Sequence, residues 1–555
     1  MRALSLAVLA AAMAGLVGAA DDNEAVNIHG VVAFIRTGER TPIMSQDPSI
    51  LTALGAQQMY DLGQNFRTRY IQEQNSTRGL GVQQLRGMST DMLRNEQIAI
   101  RSLDEPYLVA SAQSFMQGLY PPYTITSSGG GALGDESGIL ANGSAIDFPL
   151  GGYQYPDIRA LSSLDPQSIY LGGADDCPAA QRQAAMYQAT PEFLEARREY
   201  NSLYESLDLD WFQGDIGESQ LDYMYAFEIY DYLSYAYTHN SDAHDRLTND
   251  SSYAGVYDRL RTLADQDAWY TWGNASTSSS DQAMPGKTLA ASILGQFRKI
   301  ALNAGNTTNG LSAPLTLLFG EHEPFLSLAS LMLLDSFNTN FRAAPPFASA
   351  MVFELFSTGN TDDGAFPQRE EDLWVRFSFQ NGTEFEGALI AHPMFNNGPS
   401  RTNMRWTEFQ ELVGQVMVSA YGDWCRQCDS PALFCWGVSS SSSSSSNGNG
   451  GSSVSPTVAG VIGAVISLAV AGLVFAAAML LGGVRVHRVR GSKKAELGGF
   501  KGSAKLASDA DVSVPKGGAA AGIVSFGAAA GGNDGGRKMG HERVGSWELR
   551  QKEFG

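Results

Sequence analysis

Residues 31–35 read VVAFI, a continuous apolar run of strand length, and the run stops at once in Arg36, Thr37, Gly38, Glu39, Arg40, Thr41 and Pro42. A strand with no polar alternation has to be covered on both faces, which restricts this part of the chain to an α/β layered architecture. The next stretch, LTALGAQQMYDLGQNFRTRY (51–70), carries Leu54, Met59, Leu62 and Phe66 at helical intervals, so strand and helix are expected to pack as a βα unit. A second apolar strand, PLTLLF (314–319), ends in the polar turn GEHEP and runs into the helix-like FLSLASLMLL. Proteins of this class gather ligand residues at the carboxyl ends of their strands, which marks both turns as candidate site. Between them, residues of about 180–300 are rich in Tyr, Leu and acidic side chains at helical spacing and read as a mostly helical insertion.

The appendages follow from composition. The chain has 555 residues, of which 43% are hydrophobic and 17% charged, enough for a large core. Residues 1–20 have a basic start, an apolar run and small residues before Asp21 and Asp22, the pattern of a cleaved secretory signal. A charge-free apolar run covers 458–484 and is long enough to cross a bilayer as a helix. Arg485, Arg488, Arg490, Lys493 and Lys494 follow it directly, so the positive-inside rule expects a single-pass protein with its C-terminal tail in the cytosol. The preceding 438–457 is a Ser/Gly stalk, and 485–555 has the Gly/Ala/Ser/Lys composition of a disordered tail with no evident partner. The ectodomain is then 21–437, lumenal or extracellular.

Six Asn-x-Ser/Thr sequons, at Asn75, Asn142, Asn249, Asn274, Asn306 and Asn381, all precede the apolar run. So do all four cysteines, Cys177, Cys425, Cys428 and Cys435, on the side where disulfides persist. Of the three pairings, the expected one is Cys428 with Cys435 as a local clasp and Cys425 with Cys177; a redox or zinc Cys-x-x-Cys is the alternative. The formal net charge is −20, yet the tail from Arg485 holds 13 Lys/Arg against 7 Asp/Glu, so the ectodomain is more acidic than the total. Such a body excludes nucleic acid as a partner and leaves any phosphate site to local geometry. The carboxylate and histidine spacing repeats no metal-ligand pattern, so neither metal nor cofactor is expected.

The turn RTGERTP resembles the RHGxRxP signature of the histidine acid phosphatases, the phytase-containing branch of the histidine phosphatase superfamily. IRSLDEPYLVASAQSFMQGLYPP, GYQYPDI, FGEHEPF and WVRFSFQNGTEFEGALIAHPMF resemble later blocks of the same family, and the likeness spans about residues 26–437. It implies an α/β sandwich core, about 26–125 and 290–437, with the helical cap at about 180–300. It also implies phosphomonoester hydrolysis through a phosphohistidine. Carried over by position, Arg36, Arg40 and Arg101 would clamp the phosphate, His322 would add a hydrogen bond and Glu323 would protonate the leaving group. Guanidinium forks suit phosphate oxygens. Their alternative role is structural ion pairing, and that of His322 and Glu323 is a favourable helix start.

The nucleophile's place is Thr37. Neutral imidazole attacks phosphorus and leaves readily, whereas a threonine hydroxyl needs a dedicated base. His29 lies seven residues before Arg36, about 20 Å along an extended strand, and is out of reach; His239, His244 and His392 are distant in sequence. The expectation is a membrane-anchored pseudophosphatase that binds phosphate or a phosphorylated small molecule. Its rivals are an acid phosphatase of altered mechanism and a surface adhesion or sensing protein with a vestigial pocket.

Overall fold

The computed structural model describes residues 26–72, 85, 87–124, 138–273, 281–306, 313–359, 365–383 and 389–438. The expected signal, the stalk from residue 439, the apolar run 458–484, the tail, Asn75 and Asn274 lie outside these. Among the described residues no helix is long and apolar enough to cross a membrane. The other four sequon asparagines, Asn142, Asn249, Asn306 and Asn381, are exposed.

The apolar run forms most of β1 (Val26–Arg36), and the second strand is β4 (Leu315–Gly320). They pair in parallel, with Arg36 opposite Gly320, so the turns that follow them leave the sheet side by side. Around this pair the sheet runs β3-β2-β4-β1-β5-β6-β7. Here β2 is Ile98–Leu103, β3 Ile158–Leu161, β5 Ala350–Thr358, β6 Leu373–Gln380 and β7 Ile390–His392; β8 (Asn403–Arg405) also pairs with β6. Strands β1 to β4 are parallel, and β5 turns antiparallel against β1.

Both faces of β1 are covered, as its unbroken apolarity requires. Val31, Ala33 and Ile35 pack with Met59, Leu62 and Phe66 of α1 (Ala53–Phe66) and with Ala112, Phe115 and Leu119 of α2 (Pro106–Leu119). Leu54 departs from the expected stripe: it sits in the first turn of α1, beyond the edge of the sheet, and is exposed. Gly63 lets the two helices touch, because a Cβ there would lie 2.1 Å from the Phe115 carbonyl oxygen.

The chain between β3 and β4 divides in two. Helices α3 (Pro178–Met186), α4 (Pro191–Glu205), α5 (Ala226–His239), α6 (Ser241–Asn249) and α7 (Val256–Ala268) make the cap. They enclose a separate aromatic core that includes Phe193, Tyr204, Trp211, Phe212, Tyr223 and Leu260. The cap ends earlier than the expected boundary near residue 300. Helix α8 (Met284–Leu302) lies on the other sheet face, where Leu289, Ile293 and Phe297 join Val32 and Phe34. With it pack α9 (Glu323–Leu331) and α10 (Trp406–Val416).

The disulfides correct the expected pairing: they are Cys177–Cys428 and Cys425–Cys435. Trp424 of α11 (Tyr421–Cys428) donates its indole N–H to the Gly173 carbonyl at 2.9 Å, which holds the helix against the loop that leads to Cys177. The chain then reverses at Asp429, in the left-handed region at φ 53°, and returns Cys435 to Cys425.

Candidate functional site

The RTGERTP turn is fixed by backbone contacts alone. Thr37 N–H donates to the Gly320 carbonyl at 3.2 Å, and Ala348 N–H donates to the Thr37 carbonyl at 2.8 Å. Gly38 meets the start of α1 so closely that a Cβ there would lie 2.3 Å from the Gly55 carbonyl oxygen. A glycine is needed at 38 for this approach, and the side chains on either side of it inherit fixed directions.

Thr37 is fully buried. Its hydroxyl lies 2.9 Å from the Gly38 carbonyl oxygen, to which it donates, and 2.9 Å from Ser111 Oγ on α2. No imidazole is among its hydrogen-bond partners.

Arg40 is the most enclosed charge of the site. Its Nε donates to Glu321 Oε1 at 2.9 Å, and its Nη1 lies 3.0 Å from both carboxylate oxygens of Asp231 on α5. Burial alone would lower its pKa, but the charges of Glu321 and Asp231 outweigh it and raise it. Arg36 points Nη1 at the Pro345 carbonyl, and its guanidinium carbon lies 4.5 Å from the centre of the Phe347 ring. Its Nε faces the other Glu321 oxygen, Oε2, at 3.7 Å. The two arginines thus share the carboxylate of Glu321, which their charges hold at a pKa of about 2 although burial pushes it up.

His322 and Glu323 follow directly. Burial, then the nearby Arg36 charge, lowers the His322 pKa to about 3, so the ring is neutral. It stacks on Phe227 of α5 at 4.0 Å between centroids. Burial, then the Glu321 charge, raises Glu323 to about 8, so this carboxyl keeps its proton at acidic and neutral pH. That is the state a leaving-group acid requires.

Arg101 is not brought to this cluster. It sits on β2 opposite Leu318, two residues short of Gly320, and the groups acting on its charge are Arg159, Asp165 and Tyr170. In its stead Tyr107 of α2 enters the site, with the Arg40 guanidinium 5.5 Å from its ring centre.

Helix α5 closes the site with one face. Phe227 covers His322, Asp231 holds Arg40 one turn later, and His239 Nε2 reaches Glu39 Oε1 at 2.6 Å near the helix end. Glu39 Oε1 also accepts from Thr52 Oγ1 at 2.8 Å, tying the turn to the start of α1. The remaining histidines lie apart: His29 Nε2 is 2.8 Å from Ser357 Oγ in mid-sheet, His244 Nδ1 is 2.9 Å from the Tyr237 carbonyl oxygen within the cap, and His392 packs on Phe341. Sequence reasoning missed Tyr107, Ser111, Glu321 and Asp231. The first two share one quoted segment at helical spacing and Glu321 stands inside GEHEP, so a signal existed for three of them.

A mixed sheet covered by helices on both faces, with two arginines on a strand-end turn beneath a helical cap, defines a phosphatase-type α/β fold. The chain belongs to the histidine phosphatase superfamily (branch 2), which it matches over residues 41–380, starting directly after Arg40. It is similar to the lysosomal acid phosphatase of Xenopus laevis, 22% identical over 415 residues that cover 73% of this chain and 79% of the relative. The prostatic acid phosphatase of Homo sapiens is 22% identical over 412 residues, 72% of this chain and 87% of the relative. Among solved structures, the Hafnia alvei phytase in complex with tartrate has TM-score 0.44 at 12% identity, covering 71% of this chain and 98% of that one. The Citrobacter braakii phytase has TM-score 0.41 at 14% identity, covering 73% and 99%.

Proposed function

We propose that this chain is a pseudophosphatase of the secretory pathway, held by the apolar segment 458–484 with its phosphatase-like body on the non-cytosolic side. The observation that carries the reading is Thr37. At the position where the family resemblance expects the attacking imidazole stands a buried hydroxyl, engaged by Ser111 and the Gly38 carbonyl and without a base among its partners. A threonine in that state is a poor nucleophile, and loss of the nucleophile from a site that acts as a unit removes several orders of magnitude in rate. The lysosomal and prostatic relatives, the signal-like start and the two disulfides all favour the secretory route. A phosphate or phosphorylated small molecule remains the ligand class that the family supports, and it reaches the arginines only by displacing Glu321.

One observation favours a second reading, residual hydrolysis by direct attack of water: Glu323 is held protonated, ready to act as an acid. Steady-state hydrolysis of an aryl phosphate by the purified full-length protein at pH 4–6 separates the two. The pseudophosphatase reading expects background rates for the wild type and Thr37→Ala alike. Turnover at enzyme rates that Thr37→Ala leaves intact would overturn it.

A further inference from the structure

We propose that Glu321 is an intramolecular ligand of the arginine clamp, so that the site is a latent receptor for a tetrahedral oxyanion kept shut by the chain's own carboxylate. Three observations lead there. First, the charges cancel: two guanidiniums, Arg36 and Arg40, face two carboxylates, Glu321 and Asp231, with contacts of 2.9, 3.0 and 3.7 Å. An incoming dianion would meet no net positive field and would stand close to both carboxylates.

Second, Glu321 fills the clamp badly. Among the described residues, Arg36 Nε, Arg40 Nη2, Glu321 Oε2 and His322 Nδ1 are buried without a hydrogen-bond partner, and all four belong to this one cluster. Buried donors are almost always satisfied, so four orphaned atoms in contact mark a site whose donors outnumber the acceptors that occupy it. A planar carboxylate offers two oxygens, of which one is bonded here. A tetrahedral oxyanion offers more oxygens in more directions, which suits forked guanidinium donors. Third, the only charge that α5 adds is Asp231, already committed to Arg40 and to the Ile43 N–H at 3.0 Å. Removing Glu321 alone therefore leaves the pocket with one surplus positive charge under the cap.

The inference rests on the family reading of the arginine turn, but its failure is separate. Catalysis by the wild type contradicts the proposed function; an inert wild type whose Glu321 variants gain no anion affinity contradicts only this inference. The experiment is calorimetric titration of full-length wild type, Glu321→Ala and Glu321→Gln with inorganic phosphate, and in a second arm with phenyl phosphate. Glu321→Gln keeps the volume and the contact with Arg40 Nε, so it decides the matter should Glu321→Ala fail to fold. The expected result is no measurable binding to wild type and a gain in phosphate affinity of at least about tenfold in the variants. A gain with inorganic phosphate alone identifies the free ion as the ligand; a gain with both shows that the cap admits an ester. Wild-type affinity equal to that of the variants, or no gain in either variant, would overturn the proposal.

Discussion

Two buried clusters in this molecule join arginines to a glutamate, and they are built differently. In mid-sheet, Glu354 on β5 is fully enclosed, and both its oxygens are saturated. Oε1 accepts from Arg69 Nε at 3.1 Å, Arg69 Nη2 at 2.8 Å and the Tyr70 hydroxyl at 2.6 Å, while Oε2 accepts from Arg376 Nε at 2.6 Å. At the strand ends, Glu321 bonds one arginine through one oxygen and leaves four buried atoms around it without partners. The Glu354 cluster is complete in hydrogen bonds, as a structural network has to be. The Glu321 cluster is complete only in charge. That difference separates a part made for stability from a receptor that has been closed.

The largest effect expected from the contrast is at Glu354. Glu354→Ala strands two buried guanidiniums and should cost about 3–5 kcal/mol in chemical denaturation of the full chain. A loss as small as that of an ordinary surface change would break the comparison.

Next comes the response to pH. Burial raises Glu323 and Asp267 to about 8, and Asp175 and Asp265 to about 6. A carboxyl whose folded pKa exceeds its unfolded value gives stability that is complete below the unfolded pKa and disappears as pH rises through the folded one. Glu321 and His322 are depressed, to about 2 and about 3, so their contribution is present above their unfolded values and lost on acidification. Glu354 is likewise lowered: burial pushes it up, but the Arg69 and Arg376 charges prevail. The opposing windows overlap below the unfolded histidine pKa. Above it only the raised carboxyls titrate, so from about pH 6.5 to 8.5 the melting temperature should fall, by the equivalent of about 1–2 kcal/mol. Glu323→Gln should flatten that fall; a melting temperature that rises across this window would contradict the assignment.

The smallest effect is expected at Glu321. Its oxygens make a single close arginine contact, so Glu321→Gln should change stability by less than about 1.5 kcal/mol. Denaturation curves showing a loss equal to that at Glu354 would mean that the clamp is a structural network after all.

Much of this arrangement was legible in the chain. The unbroken apolarity of VVAFI and LTLLF required buried central strands, and the polar turns after them correctly located the site. Helical spacing found α1 and the cap, but missed that α8 leaves the cap, because an apolar helix reads alike whether it covers a sheet or another helix. Leu54 shared the helical spacing yet lay past the sheet edge, which no local pattern reports. The cysteine pairing depended on how α11 docks near Gly173, 251 residues away from Trp424. Arg101 fitted a motif, but strand alternation and register directed it elsewhere. Asp231 was beyond reach, since it lies 191 residues from Arg40 on a helix whose docking only the fold determines. Glu321 was in plain view without a role, because a carboxylate beside two arginines reads as a defect until the geometry puts it between them.

The central claim is that two changes silence the site: the missing imidazole at 37 and the carboxylate of Glu321 in the clamp. Steady-state hydrolysis of an aryl phosphate at acidic pH by Thr37→His, Glu321→Ala and the double variant tests it most directly. The account predicts background rates for both single variants, the first because the clamp stays filled and the second because no nucleophile is present. It predicts turnover above background for the double variant alone. Full activity from Thr37→His with Glu321 in place would contradict it.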